Sequence, residues 1–294
     1  MVRIFTDSTS DMEKEYRDAY GVDYLHMVFT LGGKDYPADL DWKDISPKEF
    51  YDSMRNGNRS VTGLIAHDET YDKFKTCLEA GDDIFYVACS SKLSNSVHFA
   101  ESIAKELLPG YPGRKIVCFD SLRSNYAEGM IAMAAAKLVS EGHTIDEITA
   151  TMEEEKLKYQ DHGTVDTLEY LRRAGRIKAG KAFFGNLFGV KPIILGDAKG
   201  NNYAYKKVRG RKASLDDLVD TVVARLENAP EATVFVEHAD CIEDGEYVAK
   251  QIQAKAAPKK VNLSFIGPII GSAIGPGAIT VNFYGEKVTI FGEE

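Results

Sequence analysis

Three clusters of hydroxyl and carboxyl side chains carry most of the chemistry open to this chain: Thr6-Asp7-Ser8-Thr9, Ser90-Ser91-Lys92-Leu93-Ser94-Asn95-Ser96, and Asp120-Ser121 with Ser124 close behind. Two kinds of chemistry suit them. Hydroxyls beside a helix N-terminus, where backbone N–H groups lack partners and the helix dipole is positive, can hold a carboxylate or phosphate. Alternatively, Ser94 is the nucleophile of a hydrolase acting on a small anionic substrate, with Asp7 or Asp120 as base. That reading lacks a good imidazole, because His98, one helical turn past Ser94, reads as a surface or packing residue. The plainest role for Ser94 or Ser96 is a helix cap. Asp35, Asp39 and Asp41 have no second ligand set at recognisable spacing, so no metal is expected. No G-x-G-x-x-G or Walker A pattern follows a strand, which argues against a nucleotide.

Each cluster is preceded by a short apolar run, at residues 2–5, 84–87 and 115–119, and followed by helical spacing such as Val97, Ala100, Ile103, Ala104 and Leu107. Repeated βα units of this kind predict an α/β domain with a parallel sheet. Ligands in such sheets bind outside the carboxyl ends of the strands. The three clusters therefore meet at one crevice, which raises Ser94 from a cap to a binding residue.

Elsewhere the pattern predicts one extended run at 24–31, a Gly32-Gly33 turn, and a loop at 34–41. A helix starts at Ser46-Pro47-Lys48-Glu49, and residues 59–63 form a loop whose Thr62 can face a ligand. Thr144-Ile145-Asp146-Glu147 is a capping box. Asp161-His162-Gly163 marks a domain boundary, after which strand signals turn hairpin-like, notably at 191–195 and 203–208. Phe183, Phe184, Leu187 and Phe188 can line an apolar cavity or pack a core. Lys206, Lys207, Arg209, Arg211 and Lys212 form a basic run able to steer an acidic partner or serve as a solvated face. The glycines and prolines of 267–277 predict a constrained loop that a ligand can approach, and 278–291 a closing strand pair.

At 294 residues and 44% hydrophobic content, the chain has material for two domains. A net charge of -9 argues against a general nucleic-acid binder. Its 4 cysteines, Cys77, Cys89, Cys118 and Cys241, are scattered, which predicts reduced thiols and a cytoplasmic location. No secretory signal and no apolar run long enough for stable membrane insertion is visible.

Taken together, Thr6-Asp7-Ser8-Thr9, Ser90-Ser91-Lys92-Leu93-Ser94, Val165 to Leu171 running into Gly175-Arg176-Ile177, Lys191-Pro192-Ile193, Arg209-Gly210-Arg211-Lys212, and Gly267-Pro268 through Gly275-Pro276-Gly277 resemble the DegV family of bacterial fatty-acid-binding proteins. The resemblance spans nearly the whole chain. It implies an N-terminal α/β/α domain with a parallel sheet (1–160) and a C-terminal α+β domain with a mixed sheet (161–294). One long-chain fatty acid would lie between them, with no cofactor and no catalytic residue of the protein's own. By the same resemblance Thr62 and Ser94 hold the carboxylate, with Asn95, Ser121, Gly271, Ser272 and Ala273 around it. A separate ATP-dependent fatty acid kinase would phosphorylate the exposed carboxylate, the protein carrying the acyl-phosphate onward, with Arg176, Arg209 and Arg211 as partner or phosphate contacts. Three departures stand out: Ala273 where the family usually has histidine, Gly63-Leu64-Ile65 for Ser-Gln-Pro, and Asn95-Ser96 for Gly-Thr. The missing imidazole leaves room for a lipid carrier or sensor with no kinase role. Losing that donor costs about 1–3 kcal/mol of head-group binding unless Ser272 or a water replaces it.

Overall fold

The computed structural model describes residues 1–179, 183 and 189–292. The chain opens with β1 (Val2–Asp7), α1 (Lys14–Tyr20) and β2 (Val22–Leu25). It then turns through a small antiparallel sheet, β3 (Met27–Leu31), β4 (Lys34–Pro37) and β5 (Ser60–Ile65), with α2 (Pro47–Arg55) between the last two strands. After α3 (His67–Glu79) come β6 (Asp83–Ala88), α4 (Ser96–Leu107) and β7 (Ile116–Asp120). Strands β2-β1-β6-β7, in that order, make the expected parallel sheet. Its central strand β6 is apolar on both faces because helices cover both, as parallel sheets require.

The second half follows α5 (Asn125–Ser140) and α6 (Ile145–Glu155) with β8 (Tyr159–Thr164), α7 (Glu169–Ala174), β9 (Val190–Gly196), β10 (Asn202–Arg209), α8 (Arg211–Arg225), β11 (Thr233–His238), α9 (Ile242–Ala256), β12 (Lys260–Phe265), α10 (Pro268–Ile274) and β13 (Ile279–Tyr284). Its six strands form a mixed sheet in the order β10-β9-β8-β13-β11-β12, parallel only between β11 and β12. Helix α5 is buried on nearly every side because it packs on β1 of one sheet and on β8 and β13 of the other. The largest apolar cluster likewise crosses between the halves, joining Phe29, Phe50 and Val97 to Ile194, Ile266 and Ile270.

Several local expectations change. The 24–31 run is two strands on two sheets, since alternation looks the same whichever partner a strand has. Residues 34–37 are β4, joined to β3 by Gly32 and Gly33 at φ 59 and 80, the positive angles a tight hairpin needs. The 59–63 loop is largely strand β5, paired with β3. Residues 161–163 lie inside β8. The glycine-rich 268–274 segment is a helix, with Pro268 in its first turn, where a missing N–H costs nothing. Of the closing strand pair, β13 alone forms among the described residues.

Candidate functional site

A cavity of ≈ 420 Å³ lies where β5, the turn before α4, α7, α10 and the mixed sheet come together. Exposed Arg55, Asn58 and Arg59 border one end, whereas Thr9, Cys89, Ser124, Asp161 and Thr280 at the other are buried. Between them the walls include Met27, Met54, Val165, Ile194, Ile269, Ile270 and Ile274.

Thr62 reaches the cavity from β5 and Ser94 from the turn that leads into α4. Asn95 is the N-cap residue of α4 but makes no side-chain cap bond, while the Ser96 N–H donates to the Ser94 Oγ at 3.2 Å. The two hydroxyls of Ser94 and Ser96 are 2.9 Å apart. If Ser96 donates, the Ser94 proton is left for an anion. On α10 the Ser272 hydroxyl donates to the Pro268 carbonyl at 2.6 Å. A hydroxyl has one hydrogen, so the 2.6 Å bond between Ser60 and Ser272 has Ser60 as donor. Ser272 therefore has no proton to offer in place of the missing imidazole. Ala273 lines the cavity beside it.

The remaining candidates do other work. Asn95 is exposed and does not line the cavity. Ser121 is buried, with its Oγ accepting the Arg123 N–H at 3.0 Å to shape the turn after β7. Gly271 faces α2, where Tyr51 and Phe50 occupy the space a side chain would need. Arg176 borders the cavity, and its Nε donates to the Leu93 carbonyl at 3.1 Å, bracing the turn that carries Ser94. Arg209 and Arg211 are not in the cavity wall; Arg211 Nε instead pairs with Asp244 at 2.8 Å. Much of the basic run is similarly engaged, Lys206 with Asp217 and Lys212 with Asp216, because α8 and α9 supply acids alongside it. Phe183 is half-buried against the largest core with the Lys207 ammonium 4.9 Å from its ring, outside the cavity wall; Phe184, Leu187 and Phe188 lie outside the described residues.

The second and third hydroxyl clusters also hold the halves together. Ser90 Oγ donates to the Gly200 carbonyl at 2.7 Å, and Arg123 Nη1 to the Asp197 carbonyl at 3.0 Å. Asp7 is fully buried, accepts the Tyr86 hydroxyl at 2.6 Å, and burial pushes its pKa up. Asp120 accepts the N–H groups of Ser91 and Leu122, each at 3.1 Å. His98 is exposed and sits 3.2 Å from Glu101. None of these three is bonded to Ser94. Among the described residues no cluster of His, Cys, Asp and Glu is placed to hold a metal ion, and no helix is long and apolar enough to cross a membrane.

Sequence reasoning missed Arg59, Tyr170, Arg173 and Asn202 in the wall, and Asn125 and Asp161 at its buried end. Asp161 is held 3.9 Å from the buried Arg123 guanidinium; burial pushes it up to about 6, against the pull of that cation. Only the Gly175-Arg176 stop of α7 hinted that this segment turns toward the site.

Residues 1–286 match the sequence model of the DegV family. A DegV domain-containing protein of Clostridium perfringens is 33% identical over 283 residues, covering 96% of this chain and 97% of its own. Among solved structures, a fatty-acid-binding DegV family protein of Thermus thermophilus superposes with a TM-score of 0.86 at 26% identity, covering 97% of this chain and 99% of that one. DegV of Bacillus subtilis, a fatty acid binding protein, has the same fold, with a TM-score of 0.80 at 24% identity and coverage of 97% and 99%.

Proposed function

This chain belongs to the DegV family, and from that premise we propose that it binds one long-chain fatty acid, its hydrocarbon in the ≈ 420 Å³ cavity and its carboxylate at Thr62 and Ser94. One observation carries the reading: a single cavity joins these two hydroxyls to a wall of Met27, Val165, Ile194 and Ile270. The fatty-acid binding of the similar Thermus thermophilus protein supports it. Each buried CH₂ gains about 0.8 kcal/mol, so the chain supplies most of the affinity and the hydroxyls orient the acid. Arg59 and Arg176 at the wall favour an anion there. The ligand sits between the N-terminal half that carries the parallel sheet and the C-terminal half that carries the mixed sheet, in a cytoplasmic protein.

The role is binding, because Ser94 has a second serine beside it where a hydrolase would place a base. In this reading the carboxylate would be presented to a separate ATP-dependent fatty acid kinase, as the resemblance implies. Ala273 favours a second reading, a lipid carrier or sensor that needs no kinase, since it leaves the head group one donor short. Acyl-phosphate formation on adding a fatty acid kinase subunit and ATP separates the two.

Titration calorimetry with palmitic acid tests the site. Thr62→Val combined with Ser94→Ala should weaken binding by about 1.5–3 kcal/mol for each bond lost to the charged group, with an unchanged unfolding midpoint. Unchanged affinity would remove both residues from the site.

A further inference from the structure

The buried end of the cavity is polar, which an ordinary acyl chain does not explain. Asp161 lies on the face of the mixed sheet that fronts the cavity; its Oδ1 accepts the Gly196 N–H at 3.1 Å, and its Oδ2 has no hydrogen-bond partner among the described residues. Asn282 is opposite Asp161 in the β8–β13 register and accepts the Ala127 N–H at 3.2 Å, so the first turn of α5 lies over this end of the sheet. That turn brings Ser124 and Asn125 into the wall. Asn125 accepts a 3.3 Å bond from the Ser124 hydroxyl, while its amide nitrogen has no hydrogen-bond partner among the described residues. Asn125 holds φ 55 at the helix start, a left-handed conformation that asparagine tolerates better than most residues.

A methyl terminus arriving here would strip water from an acceptor and a donor and give nothing back, and each buried polar group left without a partner is costly. A terminal hydroxyl does the opposite. It can donate to Asp161 Oδ2 and accept from Asn125 Nδ2 at once, whereas a carbonyl can only accept and would leave the carboxylate unpaired.

We propose that the preferred ligand is a hydroxylated acyl chain whose distal hydroxyl is bound by Asp161 and Asn125 at the inner end of the cavity. This rests on the fatty-acid reading above and specifies which acids the same site selects. The experiment is titration calorimetry on the full chain with even-numbered saturated acids from decanoic to octadecanoic, each beside its ω-hydroxy and ω-oxo counterparts. At least one ω-hydroxy acid should bind about tenfold tighter than its parent, the effect of one well-made buried hydrogen bond, and its ω-oxo analogue should lack that gain. Asp161→Asn should shrink the preference, as should Ser124→Ala, which leaves the Asp161–Arg123 pair intact. If every parent acid binds as tightly as its hydroxy counterpart, hydroxyl selection is wrong while fatty-acid binding stands. If no acid of any series binds, both fall.

Discussion

Gly271 packs so closely on α2 that an added Cβ would sit 2.5 Å from the Tyr51 hydroxyl oxygen and 3.0 Å from the Phe50 ring. The Tyr51 hydroxyl cannot easily retreat, because it donates to the Ile266 carbonyl at 2.7 Å. Gly271→Ala should therefore destabilise the protein by about 1–3 kcal/mol, measured by urea unfolding, through overpacking. A stability equal to wild type would mean that α10 shifts freely, and that the wall bearing Ser272 and Ala273 is not fixed. Ser94 could be singled out in the sequence because hydroxyl clusters after apolar runs mark strand ends, whereas Thr62 was a lone threonine in an expected loop that became strand β5, assigned to the head group by resemblance alone. The faces of Gly271, Asn95 and Ser121 could not, since each depends on a neighbour distant in the chain. Asp161 escaped because Asp161-His162-Gly163 reads as a domain boundary and not as part of a strand, and Asn125 because a helix start gives no sign of what it faces.

At the scale of elements, the first turn of α5 and strands β11 and β13 enclose a buried acid pair. Glu237 Oε2 accepts from Asn282 at 2.7 Å, from Thr280 at 3.1 Å and from the Tyr126 N–H at 3.4 Å, and Asp11 faces it from the loop after β1. Burial pushes Glu237 from its ordinary 4.5 up to about 8, and burial followed by the Glu237 charge pushes Asp11 well up. The folded state thus holds protons that the unfolded chain releases. This contribution to stability is complete below about pH 4.5 and is lost as pH rises through about 8. Denaturant unfolding should show Glu237→Gln with a shallower decline of stability between about pH 5 and about pH 9 than wild type; parallel curves would contradict the raised pKa of Glu237. The βα repeats around this pair were legible from period and polar punctuation. Strands β4 and β5 were not, being short and partly exposed, nor was α10, whose Gly271 and Gly275 hide a helix opened by Pro268.

Across the whole molecule, the cavity and the contacts between its halves are one structure. Ser90 to Gly200, Arg123 to Asp197 and the apolar cluster from Phe29 to Ile194 all join the two halves, and Ile194 of that cluster also lines the cavity. A ligand that binds only this joined state stabilises it by mass action, by about 2.7 kcal/mol at a hundredfold excess over Kd. Thermal unfolding of the delipidated protein should accordingly move upward with added palmitic acid, and much less so for the Thr62→Val, Ser94→Ala double variant. Equal shifts in both proteins would place the acid somewhere else. The parallel and mixed sheets were expected, but the polar far end of the cavity emerged only once β8, β13 and α5 were seen together.

Native mass spectrometry of the delipidated protein equilibrated with palmitic acid addresses the central claim most directly. The predicted spectrum shows one adduct of a single palmitate per chain, depleted in the double variant. Bare protein mass at palmitate well above micromolar concentration, with the fold intact, would contradict it.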